Sequence, residues 1–189
     1  MSEQQKNKLA KRETAFIEKV SVQIGLANKL LNRMSKNLVK EYYTKALADL
    51  KNKNYDSAIL LSTSAIALEP TNPAYFYLRG ITRKEFQHYN NAIEDFTKAI
   101  EINPKDTVIY LYYFERAICK HHLSEFKSSI VDYDHAIKMF PQWALAYYNR
   151  GLAKSEIHDF KNACHDWLKA KELGYNGSDK MLNKYHNYI

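Results

Sequence analysis

The sequence predicts an all-α protein, an α-solenoid of about four helix–turn–helix repeats with an N-terminal helix and a C-terminal capping helix. Three observations support this prediction. Four segments of 22 residues align without gaps, starting at Lys45, Arg79, Arg116 and Arg150. Their spacings of 34, 37 and 34 residues are nearly constant. Glycine and proline number only 5 and 4, too few for the many tight turns of an all-β fold.

Each aligned segment has the same physical pattern. A small residue follows a bulky aromatic residue by four positions, and a hydrophobic pivot separates this first helix from a second one. The second helix carries small residues seven positions apart, which share a face and let two helices approach closely. A bulky filler lies between them in the last three segments, and a serine is the exception in the first. In repeat order, the first small residues are Ala46, Gly80, Ala117 and Gly151, the pivots Tyr55, Tyr89, Phe126 and Phe160, and the fillers Ser62, Phe96, Tyr133 and Trp167.

This pattern resembles the tetratricopeptide repeat, in which an aromatic, a small residue, an alanine–aromatic pair and a proline recur with a period of 34 residues. The resemblance covers about residues 39–173, and the end of the fourth segment, "ACHDWLKAKELG", is similar to the closing repeat of many bacterial proteins of this family. It divides the chain into a basic amphipathic arm (1–38), four repeats (39–72, 73–106, 107–143 and 144–173) and a capping helix (174–189).

Two positions depart from the family pattern and carry charge. The residue before the small one is Arg in the last three segments, and an aspartate follows it sixteen positions later in each. A guanidinium matches a carboxylate, so this co-occurrence predicts structural charge pairs between helices, the alternative being separately solvated charges. The pairs are Arg79–Asp95, Arg116–Asp132 and Arg150–Asp166. The aromatic expected three positions after the small residue is replaced by Asp49, Arg83, Lys120 and Lys154.

One stretch, Val108–Phe114, has the composition of a buried β-strand. Its register with the other segments instead predicts the first helix of the third repeat. The segment from Pro104 to Ala117 is three residues longer than its counterparts. We therefore predict that this helix starts about one turn early and projects Ile109 or Tyr110 at the rim of the array. If the extra residues form a loop, the helix is no longer than its counterpart in the second repeat.

The N-terminal arm is basic and amphipathic. Residues 1–40 contain nine Lys or Arg against three Glu, a net charge of +6, whereas residues 41–189 carry +1. Apolar residues recur at three- and four-residue steps, which indicates one helix over residues 9–34. They are Leu9, Phe16, Val20, Ile24, Ala27, Leu31 and Met34. Three roles stay open: the helix caps the first repeat, engages a partner or a second copy as a homo-dimer, or lies on an anionic membrane.

The resemblance implies that function lies on the concave wall formed by the first helices. In the family, ligand-facing positions lie three before, one after and four after the small residue. Here these peptide-binding positions are Tyr43, Leu47, Leu50, Tyr77, Ile81, Lys84, Phe114, Ile118, His121, Tyr148, Leu152 and Ser155. Such an apolar groove implies a non-enzymatic module that binds a peptide or helix of a partner protein. Because Tyr and Phe are also consensus residues there, a purely structural role stays open.

Other binding modes are less well supported. The family's clamp for C-terminal carboxylates of heat-shock chaperones is not expected, because Leu47, Leu78 and Glu115 stand where its polar groups are needed. The nearly neutral body argues against a nucleic-acid surface along the array. The basic arm supports at most weak, salt-sensitive attachment to a membrane or nucleic acid, the alternative function.

The sequence contains no pattern typical of a catalytic, metal or cofactor site. No phosphate-binding loop, catalytic triad or small-molecule site is evident. Cys119 and His122 can share a helix face, but no third metal ligand is evident. Two cysteines cannot build a disulfide framework, and neither a signal peptide nor a membrane-spanning run is present. We therefore expect a cytoplasmic protein that is not an enzyme.

Overall fold

The computed structural model describes residues 3–188, with side chains from residue 18 onward. Across these residues the chain forms nine α-helices and a terminal 3-10 turn, without a β-strand. The helices are α1 (Glu3–Lys51), α2 (Tyr55–Leu68), α3 (Pro73–Glu85), α4 (Tyr89–Ile102), α5 (Ile109–His122), α6 (Phe126–Met139), α7 (Ala144–Glu156), α8 (Phe160–Glu172) and α9 (Ser178–Lys184). The predicted all-α solenoid is confirmed, and α1–α2, α3–α4, α5–α6 and α7–α8 pack as pairs.

The two helices of every pair are joined by a three-residue connector with one backbone geometry. Its middle residue has a φ between 60° and 62°, in the left-handed region, although none of the four is a glycine. They are Lys53, Gln87, Ser124 and His158. The next amide donates to the carbonyl five residues earlier, for example His88 N to Arg83 O at 2.7 Å. This bond satisfies the end of the first helix, so all four pairs turn alike.

The paired helices approach closely where the sequence places small residues. The small residues of the second helices are completely buried. They are Ala58, Ala65, Ala92, Ala99, Ser129, Ala136, Ala163 and Ala170. The fillers Phe96, Tyr133 and Trp167 lie between them, also buried. A Cβ added at Gly80 would lie 2.7 Å from the ring of Phe96, which shows how little space remains between the helices.

The helix pairs stack side by side with their first helices on one side. The first helices α1, α3, α5 and α7 contact one another directly. Among the described residues, the second helices of successive repeats do not make comparable contact. In helical-repeat arrays one side is concave, and the resemblance implies that it is the side of the first helices, so we call the exposed faces of α1, α3, α5 and α7 the concave wall.

The first helix of the third repeat does not start a full turn early, so this prediction was wrong. α5 has 14 residues and α3 has 13, so one extra residue lengthens the helix and two lengthen the connector 103–108. In that connector the carboxylate of Asp106 accepts hydrogen bonds from Val108 N (3.1 Å) and the Tyr112 hydroxyl (3.0 Å). These bonds stabilise a turn in place of helix. Ile109 is buried and does not project at the rim.

The arm and the first helix of the first repeat form one continuous helix, α1, of 49 residues. The repeats begin to cover this helix at Val39, which is 1% exposed. Further toward the N-terminus, Ile24, Leu31 and Met34 are 55%, 65% and 60% exposed. From residue 18 onward the apolar face of the arm therefore does not cap the first repeat, and of the three roles considered for it this one has no support in the described side chains.

The two ends of the chain differ in what they cover. Of the apolar residues predicted for the arm, Leu9 and Phe16 lie outside the described side chains. At the C-terminus α9 packs on α8, where Leu182 and Tyr185 cover the buried Trp167. Within residues 3–188, no helix is both long and apolar enough to cross a bilayer.

Candidate functional site

Three arginine–aspartate pairs join the helices of the last three repeats. Arg116 donates from Nε to one carboxylate oxygen of Asp132 at 2.9 Å and from Nη2 to the other at 2.7 Å. This bidentate geometry matches the planar guanidinium to the carboxylate, and Asp132 is 2% exposed. The same geometry joins Arg79 to Asp95 and Arg150 to Asp166.

Each of these arginines also contacts the preceding repeat. Nη1 of Arg116 donates to Thr97 Oγ1 on α4 at 2.9 Å, and its guanidinium carbon lies 5.4 Å from the ring centroid of Tyr113. One side chain therefore joins three helices of two repeats. The equivalent contacts are those of Arg79 with Thr63 and Phe76, and of Arg150 with Asp134 and Tyr147.

A second cation contacts each of these carboxylates, and it was not predicted from the sequence. Lys120 Nζ lies 2.7 Å from Asp132, on the same helix as Arg116. The equivalent contacts, Arg83 with Asp95 and Lys154 with Asp166, are both 2.8 Å. Arg83, Lys120 and Lys154 replace the aromatic residue of the family pattern. The sequence did contain a signal for these cations. The position is basic in the three repeats that have the aspartate, and it is not basic in the first repeat, which lacks that aspartate.

On the concave wall, residues of α5, α6 and α7 surround a cavity of about 270 Å³ between the third and fourth repeats. Three predicted groove residues line it, Ile118, His121 and Leu152. The other lining residues, which the family positions did not include, are His122, Tyr133 and Asn149. The structure thus brings one part of the predicted set together around an actual concavity.

The cavity has apolar walls and neutral polar groups. Ile118 and Leu152 supply aliphatic surface, while His121 and Asn149 supply hydrogen-bonding groups. Burial lowers the pKa of His121 below its ordinary value of 6.5, against a smaller opposing effect of Glu156. The imidazole is therefore neutral near pH 7 and can donate one hydrogen bond and accept another. This lining suits a side chain that is mainly apolar.

Two of the predicted groove residues do not lie open in the groove. Phe114 is 3% exposed because Trp143 covers it, with ring centroids 4.1 Å apart. Tyr110, predicted at the rim, packs against the same tryptophan at 5.4 Å. Ser155 is buried, and its hydroxyl donates to Leu152 O at 2.7 Å. Phe114 and Ser155 therefore belong to the packing beneath the wall.

A charged predicted residue, Lys84, is neutralised within the wall. Its Nζ lies 2.8 Å from Glu115 on the neighbouring first helix, and both side chains are largely buried. Burial acts to lower the pKa of Lys84, but the Glu115 carboxylate outweighs it and the pKa is raised overall. The second and third repeats are thus joined by an ion pair, which leaves no free cation at Lys84 for a ligand carboxylate.

The aromatic rings at the predicted groove positions do not stack on one another in a continuous row, because each ring packs against a different neighbour. Tyr77 contacts Tyr112 at a centroid distance of 5.2 Å, and burial raises its pKa. Tyr43 and Tyr148 are half-buried and pack against other tyrosines, at 5.4 Å and 4.6 Å. Of the remaining positions, Leu47 is exposed, and Leu50 and Ile81 are half-buried.

The thiol and histidine groups near the cavity show no sign of a reactive or metal-binding centre. Burial raises the pKa of the Cys119 thiol to about 12, so it stays protonated and unreactive. His122 stacks on Tyr89 with ring centroids 4.6 Å apart. Within the part of the chain that the structure describes, no group of three His, Cys, Asp or Glu side chains is placed to hold a metal ion.

Paired antiparallel helices, stacked with their first helices on a concave wall, define the class of α-solenoid repeat proteins. The family model for the tetratricopeptide repeat matches residues 73–106, which are the pair α3–α4 with its connectors. The chain therefore contains tetratricopeptide repeats, since the other three pairs share the connector geometry of the matched one. Repeats of this family are a class of protein–protein interaction modules.

Known proteins of similar sequence match only parts of this chain. Human serine/threonine-protein phosphatase 5 is 32% identical over 103 residues, which are 54% of this chain and 20% of the phosphatase. Heat shock protein STI1 of Saccharomyces cerevisiae is 34% identical over 85 residues, 45% of this chain and 14% of that protein. The chain thus spans a fifth or less of these relatives, so the similarity to a phosphatase carries no implication of catalysis here.

A solved structure shows the same fold over most of the chain. Residues from 41 to the end of MamA from Desulfovibrio magneticus RS-1 superpose with a TM-score of 0.69, covering 80% of this chain and 94% of that one. The sequence identity is 16%, so the likeness shows the fold alone.

Proposed function

We propose that this protein binds a peptide or helix of a partner protein on its concave wall, with the cavity between the third and fourth repeats taking an apolar anchor side chain. The single observation that carries the proposal is the cavity of about 270 Å³ lined by residues of successive first helices. Its aliphatic walls favour burial of an apolar side chain, and its neutral polar groups can bond the backbone beside it.

The charges of the wall support the same kind of ligand. Lys84 and Glu115 form an ion pair in which their charges neutralise each other. A ligand held mainly through a terminal carboxylate would need free cations on this wall. An internal segment with one aliphatic or aromatic anchor needs none, which makes it the better match.

The test uses peptides selected from a random phage-displayed library on the wild-type protein. His121→Ala combined with Asn149→Ala removes two of the polar side chains that line the cavity while leaving the buried side chains in place. We expect the selected peptides to share an apolar anchor and to lose at least tenfold in affinity for this variant, corresponding to about 1.4 kcal/mol. Titration calorimetry with a synthetic peptide measures the change.

The matched control changes the same residue types on the second helices. His165→Ala with Asn91→Ala removes two exposed side chains from α8 and α4. This control is expected to bind the peptides like the wild type. If the cavity variant also binds them with wild-type affinity while circular dichroism shows it folded, the groove proposal is wrong.

A second candidate function is peripheral attachment to an anionic membrane or nucleic acid through the arm. It is favoured by the net charge of +6 on residues 1–40 and by the exposed apolar side chains of the arm. Co-sedimentation with phosphatidylserine vesicles tests attachment to a membrane, and retention on single-stranded DNA at increasing salt tests attachment to nucleic acid. Deletion of residues 1–37 should abolish either attachment and leave peptide binding intact.

A further inference from the structure

The arm carries a regular apolar stripe that no part of the described chain covers. Starting at residue 20, apolar side chains follow one another at steps of four, three, four, three and four residues. This arm stripe consists of Val20, Ile24, Ala27, Leu31, Met34 and Leu38. Steps that alternate between four and three residues return to the same position every seven residues, which is the heptad spacing of a coiled coil, in which the stripe stays on one side of a helix that winds around a partner helix.

The polar residues of the arm are placed as such a pairing requires. Positions that flank a heptad stripe lie closest to the partner helix, and here they carry no charge. They are Ser21, Gln23, Asn28, Leu30, Ser35 and Asn37. The cations occupy the positions furthest from the stripe. They are Lys19, Lys29, Arg33 and Lys36. Two identical arms can therefore meet without bringing like charges together.

The structure adds a side wall to this surface. A cavity of about 730 Å³ runs beside the arm, lined by Leu31, Met34 and Leu38 on one side and by Leu68 at the end of α2 on the other. Leu68 is 39% exposed. A helix seated on the arm stripe would contact this leucine as well, so both the arm and the body of the repeats contribute apolar surface.

The composition of the arm also favours an occupant on its helix. Gly25 and the asparagines of this segment have low helix propensity, and an isolated helix of such composition is marginal in water. Burial of a continuous apolar stripe would stabilise it.

We propose that two copies of this chain associate through their arms, stripe against stripe, as a two-stranded coiled coil. A second copy is the occupant that the pattern selects, because the stripe and its flanks offer no charge that a differently charged partner would complement. An identical helix supplies the same heptad spacing and the same uncharged flanks. This surface is separate from the groove, and its role does not depend on peptide binding there.

The test compares two double variants of the same helix. Ile24→Glu with Leu31→Glu places charges on the arm stripe, at side chains that are 55% and 65% exposed. The control, Val22→Glu with Leu26→Glu, makes the same change in charge on the other side of the helix, at side chains that are 63% and 61% exposed. Because exposure, residue type and charge are matched, only the position relative to the stripe differs.

Light scattering after size exclusion should give the full chain twice the mass of the 22.1 kDa monomer, with the control also dimeric and the stripe variant monomeric. The stripe variant should also lose helical circular dichroism signal, because its arm no longer has a partner. A monomeric wild type, a stripe variant that stays dimeric, or a control that dissociates as well would overturn the proposal. Peptide binding by the monomeric stripe variant should be unchanged, which separates this result from that of the groove.

Discussion

Asp132 is the residue through which α6 is held electrostatically to α5. It is buried and accepts a bidentate hydrogen bond from Arg116 and a further contact from Lys120. Two cations share one carboxylate, so its removal leaves two like charges facing each other in a partly buried site. The arrangement recurs in the second and fourth repeats, which points to a device that fixes how repeats pack.

Replacing this carboxylate should destabilise the fold strongly, although the substitution exchanges only one heavy atom. We expect Asp132→Asn to lower the free energy of unfolding by about 2 kcal/mol, because both cations keep their desolvation without their partner. Urea denaturation measures the effect. Glu172→Gln breaks an exposed pair with Lys169 and should cost about 0.5 kcal/mol or less. Equal denaturation midpoints for the two variants would contradict this account.

Within each charge cluster, the arginine–aspartate pair was the part that could be predicted from the sequence. Arg and Asp recur together at a constant spacing, and their chemistry is complementary. Lys120 could not be assigned from spacing alone, because a lysine on a helix usually extends into solvent. Likewise, Phe114 occupies a groove position of the family. Its burial depends on Trp143, which lies 29 residues later and reaches it only through the fold.

At the scale of elements, the faces by which helices contact could be predicted from the sequence, whereas the exact ends of the helices could not. Small residues seven positions apart predicted the contact faces of α2, α4, α6 and α8. The start of α5 was misjudged, because Asp106 stabilises the preceding turn through its carboxylate, and an extra residue in a connector looks the same in sequence as an extra residue in a helix. The continuity of α1 was also missed, since nothing in the pattern near residue 38 distinguishes one helix from two.

The closest helix contact in the fourth repeat predicts a test at Gly151. A Cβ there would lie 2.5 Å from Trp167 Nε1, and the ring is buried and donates a hydrogen bond to Tyr148 O at 3.2 Å. Gly151→Ala should therefore destabilise the fold by about 1–3 kcal/mol, measured by thermal unfolding. In contrast, a Cβ at Gly25 meets nothing within 4 Å, so Gly25→Ala should leave the repeats unchanged and raise helicity of the arm. A Gly151→Ala protein as stable as the wild type would disprove the tight contact.

At the scale of the whole molecule, stability depends on the contacts between neighbouring repeats. Each pair buries its hydrophobic surface against the next, so the terminal pairs need a cover. For the fourth repeat, Leu182 of α9 and Tyr185 just after it supply this cover, since both lie over Trp167. Among the side chains described from residue 18 onward, the apolar face of the arm gives the first repeat no equivalent cover.

Removing residues 177–189 should therefore expose Trp167 and weaken the fourth repeat. In a Trp143→Phe background Trp167 is the sole tryptophan, since the chain has two. We expect the truncated chain to show red-shifted emission, greater acrylamide quenching and a lower unfolding temperature. Lys180→Ala, which truncates an exposed side chain of α9, serves as the control and should change little. Unchanged emission after truncation would show that α9 does not cover Trp167.

The continuity of α1 has a mechanical consequence. A helix of 49 residues is a shaft about 74 Å long, at 1.5 Å per residue, and it joins the arm to the array without a hinge. Whatever surface holds the arm also fixes the rotational phase of the groove about the shaft axis. One residue inserted between the arm and the first repeat would turn the groove by about 100°, whereas seven would return it to within about 20° of its original direction. The direction in which the groove points is thus set by a residue count.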